Sequence, residues 1–219
     1  MIKGCIFDLD GVIVDTARYH FQAWRRLANE LGFDFTEAEN EKLKGVSRVE
    51  SLKLILSWGG VEKSPEEQVE LAARKNDWYL ELISNMTPDE ILPGVKEFLE
   101  ELKSRNIKIA LGSASKNAPA ILDRVGLTDY FDAIIDGTKT TRSKPDPQVF
   151  LLGAEALGLH PAETVVFEDA EKGIEAALNG GFLAVGVGDP ATLGSAHLVI
   201  PGFQNFTFGK LTEALPVKP

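Results

Sequence analysis

Disulfide bonding within the chain is excluded at the outset, because the 219 residues include a single cysteine, Cys5. It lies in the apolar run Ile2–Phe7, where it reads as a packing residue of a protein in the reducing cytosol. No apolar stretch approaches the ~20 residues of a membrane span. The chain enters a strand-like segment at once without a signal-peptide pattern, so neither a membrane partner nor export is expected, and the expected compartment is cytoplasmic. Basic charge is also scarce: 23 Lys and Arg against 33 Asp and Glu leave a net charge of −10. With no Lys/Arg stripe to offset it, such a surface repels phosphate backbones, and no nucleic-acid partner is expected. A small anionic substrate remains open, because a few lysines in a pocket outweigh distant surface charge. No G-x-x-x-x-G-K-[ST] and no G-x-S-x-G occurs, which removes P-loop and serine-hydrolase chemistry. Repeats and low-complexity tracts are absent as well.

What remains is an ordinary globular composition, 44% hydrophobic and 26% charged. Short apolar runs recur at Ile2–Phe7, Ile107–Leu111, Ala133–Ile135, Thr164–Phe167 and Leu183–Val187. Amphipathic segments lie between them at Val95–Lys103, Ala118–Val125, Pro147–Leu157 and Ala170–Leu178. Strand-helix alternation predicts an α/β fold, a Rossmann-like, mostly parallel sheet with helices on both faces and ligands beyond the C-terminal strand ends. From Gly11 to Asn106, however, about ninety-five residues separate the first two strands, where a crossover needs a dozen or more. That interval reads as helices at Ala17–Leu31, Glu37–Leu43, Val49–Trp58 and Pro65–Ile83. Phe21, Trp24, Ala28 and Leu31 form one stripe of the first, and Ser64-Pro65-Glu66-Glu67 is a capping box opening the last. An inserted small α-helical domain over residues 16–88, interrupting a core of 1–15 and 89–219, is therefore expected.

Two acidic pairs end predicted strands, Asp8 with Asp10 and Glu168 with Asp169. In a parallel sheet these ends share one edge, and carboxylates converging there are hard oxygen ligands suited to Mg²⁺. A calcium loop does not fit, since glycine falls at position 4 rather than 6. Aspartates are common in solvated turns, which is the plainer reading of either pair alone. Ser113-Ala114-Ser115-Lys116-Asn117 ends the second strand and opens a helix, offering hydroxyl and N–H donors to an anion, or simply an N-cap. Lys144 precedes Pro145 in a loop, and alone it reads as a surface lysine.

In this order, on successive strand ends, Asp8-Leu9-Asp10-Gly11, Ser113, Lys144-Pro145 and Glu168-Asp169 resemble the haloacid dehalogenase superfamily of phosphohydrolases and phosphomutases, over essentially the whole chain. The insert would be that family's helical cap. The resemblance implies Asp8 as nucleophile, Asp10 as general acid/base, and Ser113 and Lys144 as the phosphoryl-binding pair. It places Mg²⁺ among Asp8, Asp10, Glu168 and Asp169.

The cap narrows this further. Thr16, His20 and Trp24 are spaced by four along one helix face. With Lys44-Gly45-Val46-Ser47-Arg48, Ser51 and Arg74-Lys75-Asn76-Asp77, they look like the β-phosphoglucomutase subgroup. That likeness implies a small phosphosugar partner, glucose 1,6-bisphosphate as activator and intermediate, and a monomer. It makes Arg48 the clamp on the non-transferring phosphate with Ser115, Lys116 and Asn117 beside it, and Ala114 a further substrate-binding residue. His20 and Lys75 would orient Asp10, Gly45 with Val46 would contact the sugar, and Lys44 would belong to the substrate-binding set. Outside the resemblance, His20 is a half-buried helix residue, Trp24 a core residue and Arg48 a solvated charge. A sugar-phosphate or phosphoglycolate phosphatase of the same superfamily is the alternative. A phospho-acceptor signalling domain is disfavoured, since it needs neither the long insert nor an acid two residues after the nucleophile. His160 and His197 read as structural.

Overall fold

The computed structural model describes residues 1–215. Six parallel strands form one sheet: β1 (Gly4–Phe7), β2 (Lys108–Gly112), β3 (Ala133–Ile135), β4 (Thr164–Glu168), β5 (Leu183–Val187) and β6 (Leu198–Ile200), in the spatial order β3-β2-β1-β4-β5-β6. The expected parallel α/β sheet is what forms. Buried on both faces, β1 reads as a continuous apolar run, and its alternation divides the core. Cys5 and Phe7 join one apolar cluster with Phe98, Phe167 and Phe203, while Ile6 joins a second with Phe150, Val166 and Ile174. Phe7 stacks on Phe167 at 4.7 Å, so the two central strands lock side by side at the level where the chain leaves the sheet.

Helices α1 (Ala17–Glu30), α2 (Glu37–Glu41), α3 (Arg48–Gly59) and α4 (Pro65–Ile83) fill the long interval after β1. They carry their own apolar cluster of Trp24, Leu27, Ala28, Phe35, Leu52, Ile55 and Leu71. On α1 the buried residues are Ala23, Trp24, Leu27 and Ala28, with Phe21 and Leu31 partly buried at their margin. The capping box at Ser64 and Glu67 forms as read, and a second one, Thr36 with Glu39, opens α2. The remaining helices are α5 (Val95–Ser104), α6 (Ala118–Val125), α7 (Gln148–Leu157), α8 (Glu171–Asn179), α9 (Pro190–Leu193) and α10 (Phe208–Ala214). Strand β6 and helices α9 and α10 were not legible in the sequence, being three to seven residues long and too short for a period to register. His197, next to β6, exchanges hydrogen bonds with Ala184, and His160 caps the turn at Pro161–Glu163. No described helix is long and apolar enough to cross a membrane.

Register positions the site. Phe7 is level with Leu111 on β2 and Phe167 on β4, so Asp8, Gly112-Ser113 and Glu168 emerge together. The chain moves outward from β1 to β2 and β3, then returns to β1's other side as β4. Beyond these strand ends lies the crevice that such a reversal opens.

Candidate active site

Asp8 leaves β1 with its N–H bonded to the Phe167 carbonyl, and its side chain is 7% exposed. Lys144 Nζ donates to Asp8 Oδ1 at 2.6 Å and to Glu168 Oε2 at 2.7 Å, although these residues lie 136 and 24 positions away. Burial acts to lower the Lys144 ammonium, but the two carboxylates overcome it and hold the group above its ordinary value. Lys144 is thus a buried cation rather than a surface lysine. Carboxylate oxygens of Asp8, Glu168 and Asp169 converge within 4.8 Å of one another. Burial first, then the Asp8 charge, drives the Asp169 carboxyl upward, and Glu168 is driven upward by burial against the opposing pull of Lys144. Two glycines let the chain close around the trio. A Cβ at Gly11, whose φ is +78°, would overlap Asp169, and one at Gly173 on α8 would overlap the Glu168 carboxyl.

Asp10 stands apart from this trio. Its N–H donates to Asp8 Oδ2 at 3.1 Å, and its Oδ1 accepts from the Thr16 hydroxyl. Desolvation, then the Asp8 and Asp169 charges, push its carboxyl up to about 8, so the neutral acid is available near pH 7. His20 and Lys75 hydrogen-bond to each other, Nδ1 to Nζ at 3.0 Å, while Thr16 holds Asp10. Lys75 is 2% exposed, with its ammonium over the rings of Trp24 at 4.5 Å and Tyr79 at 4.6 Å. Desolvation and then the Arg48 charge pull Lys75 well below its usual value, and desolvation followed by Lys75 does the same to His20.

The loop after β2 supplies donors. Ser113, 1% exposed, accepts from the Ser115 N–H at 3.1 Å, and Ser115 Oγ accepts from the Asn117 N–H at 3.2 Å. Asn117 sits at the N-cap of α6 without capping it; its amide instead donates to Asn76 Oδ1 on α4 at 2.9 Å. Arg48 opens α3 and makes no ion pair among the described residues. These groups line one cavity of about 680 Å³ between the helical layer and the sheet edge. Asp8, Asp10, His20, Trp24, Lys44, Gly45, Val46, Arg48, Ser51, Lys75, Ser113, Ala114, Ser115, Lys116, Asn117, Lys144 and Asp169 all face it. Thr16 and Glu168 do not; both are fully buried behind it, bonded to Asp10 and Lys144. Carboxylates and cations thus line one cavity, which suits transfer of a group from an anionic substrate to Asp8.

The sequence profile of haloacid dehalogenase-like hydrolases matches residues 2–181. The chain belongs to this family. Within the family it is 47% identical to β-phosphoglucomutase of Bacillus subtilis, over 97% of this chain and 95% of that protein. It is 35% identical to the phosphorylated carbohydrates phosphatase of Thermotoga maritima, over 82% of each. The crystal structure of β-phosphoglucomutase from Clostridium difficile superposes with a TM-score of 0.95 at 44% identity, covering 98% of this chain and 97% of that one. The resemblance read from the motifs therefore holds, and the chain is an enzyme of the haloacid dehalogenase family.

This haloacid dehalogenase-family enzyme also brings to the cavity residues to which the sequence assigned no role of their own. Asn76 bridges to Asn117, and Asn40 is buried on the cavity wall. Thr140, Thr141, Arg142 and Ser143 line it from the sheet side. The basic character of that loop is visible in the sequence, but its role is not, because Gln148 ties it down through the Thr141 and Arg142 N–H groups, both at 2.9 Å.

Proposed function

We propose that this chain is a Mg²⁺-dependent β-phosphoglucomutase that interconverts β-D-glucose 1-phosphate and glucose 6-phosphate, with glucose 1,6-bisphosphate as activator and intermediate. The observation that carries this reading is Arg48, without an ion pair among the described residues, lining the same cavity as Asp8, Ser115, Lys116 and Asn117. A phosphatase needs one phosphate site. A mutase whose bisphosphate turns round needs a second for whichever phosphate is not reacting, and a guanidinium can bind two phosphate oxygens at once.

In the cycle, O6 of β-glucose 1-phosphate attacks the phosphoryl group carried on Asp8 while Asp10 takes the O6 proton, and the P–O bond to Asp8 breaks. After the bisphosphate turns, an Asp8 oxygen attacks the phosphorus at C1. Asp10 returns its proton to O1 as that bond breaks, leaving glucose 6-phosphate and the phosphorylated enzyme. Lys144 and Ser113 hold the equatorial oxygens, and the hydrogen-bonded His20 and Lys75 present polar groups to the sugar. The Asp8, Glu168 and Asp169 oxygens fit a hard divalent cation, which would offset both the burial and the mutual repulsion that drive two of their carboxyls upward. When bound, Mg²⁺ supplies further neutralisation of the phosphoryl charge. Every group named comes from one chain, so the reading needs no second copy.

Incubation with Mg²⁺, β-glucose 1-phosphate and a trace of glucose 1,6-bisphosphate tests this. Glucose 6-phosphate is expected to exceed free phosphate by orders of magnitude, and stoichiometric phosphate with no glucose 6-phosphate would assign a phosphatase. In the same assay Arg48→Ala is expected to lower mutase turnover about 10–100-fold, the worth of a bidentate charge-assisted pair, and to raise the share of phosphate released. Gly173→Ala tests the metal reading. The added methyl displaces the Glu168 carboxyl, and the Mg²⁺ concentration for half-maximal activity is expected to rise about 10–100-fold with the fold retained. An unchanged Mg²⁺ requirement would remove Glu168 from the ligand set.

A further inference from the structure

Each carboxylate of the converging trio has an ammonium group against it. Lys144 serves Asp8 and Glu168, and Asp169 is served by Lys44, whose Nζ lies 3.3 Å from Asp169 Oδ2 and 2.8 Å from Glu41 Oε2. Lys44 belongs to the turn that follows α2, so this charge reaches the sheet edge from the inserted helical layer. The backbone beside it is built for close approach. Gly45 has a φ of +69°, and a Cβ there would lie 3.5 Å from the Ala170 Cβ and 3.8 Å from the Lys144 side chain. Burial acts to lower the Lys44 ammonium, but Glu41 and Asp169 hold it above its ordinary value. Lys44 in turn pulls the Asp169 carboxyl down, against burial and the Asp8 charge.

We propose that Lys44 is a positioning residue of the divalent-cation site: its ammonium neutralises Asp169 in the metal-free enzyme and is displaced from it when Mg²⁺ binds. The inference rests on the metal reading proposed above. An ammonium 3.3 Å from Asp169 stands beside any ion that the trio holds, so the two cations draw on one carboxylate and each weakens the other's hold. Lys144 does not take this part, because it is fully enclosed and divided between Asp8 and Glu168. Lys44 is partly exposed, and Glu41 keeps the ammonium when Asp169 gives it up. Metal loading thereby leaves a cation on the cavity wall beside Gly45 and Val46, available to an anionic substrate.

Titration calorimetry of Mg²⁺ into the substrate-free enzyme reads this directly. Lys44→Met keeps the apolar stem, removes the charge, and is expected to tighten Mg²⁺ binding about three- to fivefold, the worth of a partly exposed ion pair. Asp169→Asn is expected to weaken it about tenfold or more. Adding Lys44→Met to Asp169→Asn should then move Kd by less than about twofold, because the carboxylate in dispute is gone. A lysine that merely fastened the helical layer to the core would lower the melting temperature of Lys44→Met and leave Kd where it was. An unchanged or weaker Kd in Lys44→Met, or equal tightening with and without Asp169, would overturn the proposal. The two levels separate: an unaltered Kd in Asp169→Asn removes the metal reading and the role of Lys44 with it. A Kd that Asp169→Asn weakens and Lys44→Met leaves unchanged removes only the role of Lys44.

Discussion

Asp8→Asn is expected to abolish sugar-phosphate turnover, a loss of about 10⁴-fold or more in kcat, and to leave the protein without any covalently held phosphoryl group. The amide has the carboxylate's shape but not its charge or nucleophilicity, so no P–O bond forms at this position. Geometry makes the loss specific to chemistry. Lys144 keeps its ion pair with Glu168 at 2.7 Å, and the Asp8 N–H keeps its bond to Phe167, so the strand end is retained. Circular dichroism is expected to match the unsubstituted protein. Incubation with a ³²P-labelled phosphoryl donor followed by denaturing gel electrophoresis reads the second half: label on the unsubstituted chain, none on Asp8→Asn. Label persisting on the variant would move the nucleophile elsewhere.

For Asp10→Asn the expected loss is about 10²–10⁴-fold in kcat, with the fold intact. The asparagine still accepts from Thr16 through its carbonyl, so the local arrangement is preserved while the proton is lost. Burial and the neighbouring carboxylates hold the Asp10 carboxyl at about 8, so near neutrality it carries a proton it can give to a departing sugar oxygen. This locates the defect in one kind of step. An acyl phosphate such as acetyl phosphate expels a leaving group that needs no proton, and Asp10→Asn is expected to accept label from it at a rate close to that of the unsubstituted enzyme. Equal losses with both donors would make Asp10 a structural residue, and full activity with the sugar phosphate would remove it from the reaction.

Much of the scaffold was open to reading because its signals are local. Four of the five apolar runs match strands to within a residue at each end, and the first starts two residues early because Ile2 and Lys3 extend the run before pairing begins. Helix α4 begins at Pro65, where the Ser64 capping box places it. Short elements were missed for the same reason in reverse: β6 spans Leu198–Ile200 and depends on pairing with β5 rather than on its own three residues. At the site, the order of Asp8, Ser113, Lys144 and Glu168 was legible, since each follows a recognisable strand or loop signal.

By itself, then, the sequence determined the alternating α/β core, the helical insertion after the first strand and the carboxylates at two strand ends, because hydrophobic period, capping and strand-end position are properties of neighbouring residues. Tertiary structure alone decided that Lys144 is buried between Asp8 and Glu168, that Asn76 reaches Asn117, and that the Tyr79 ring stacks on His20. Each of these depends on groups 24 to 136 residues apart along the chain. Charge, burial and hydrogen-bond satisfaction depend on what surrounds a side chain in space, and that environment exists only once the helices close over the sheet edge.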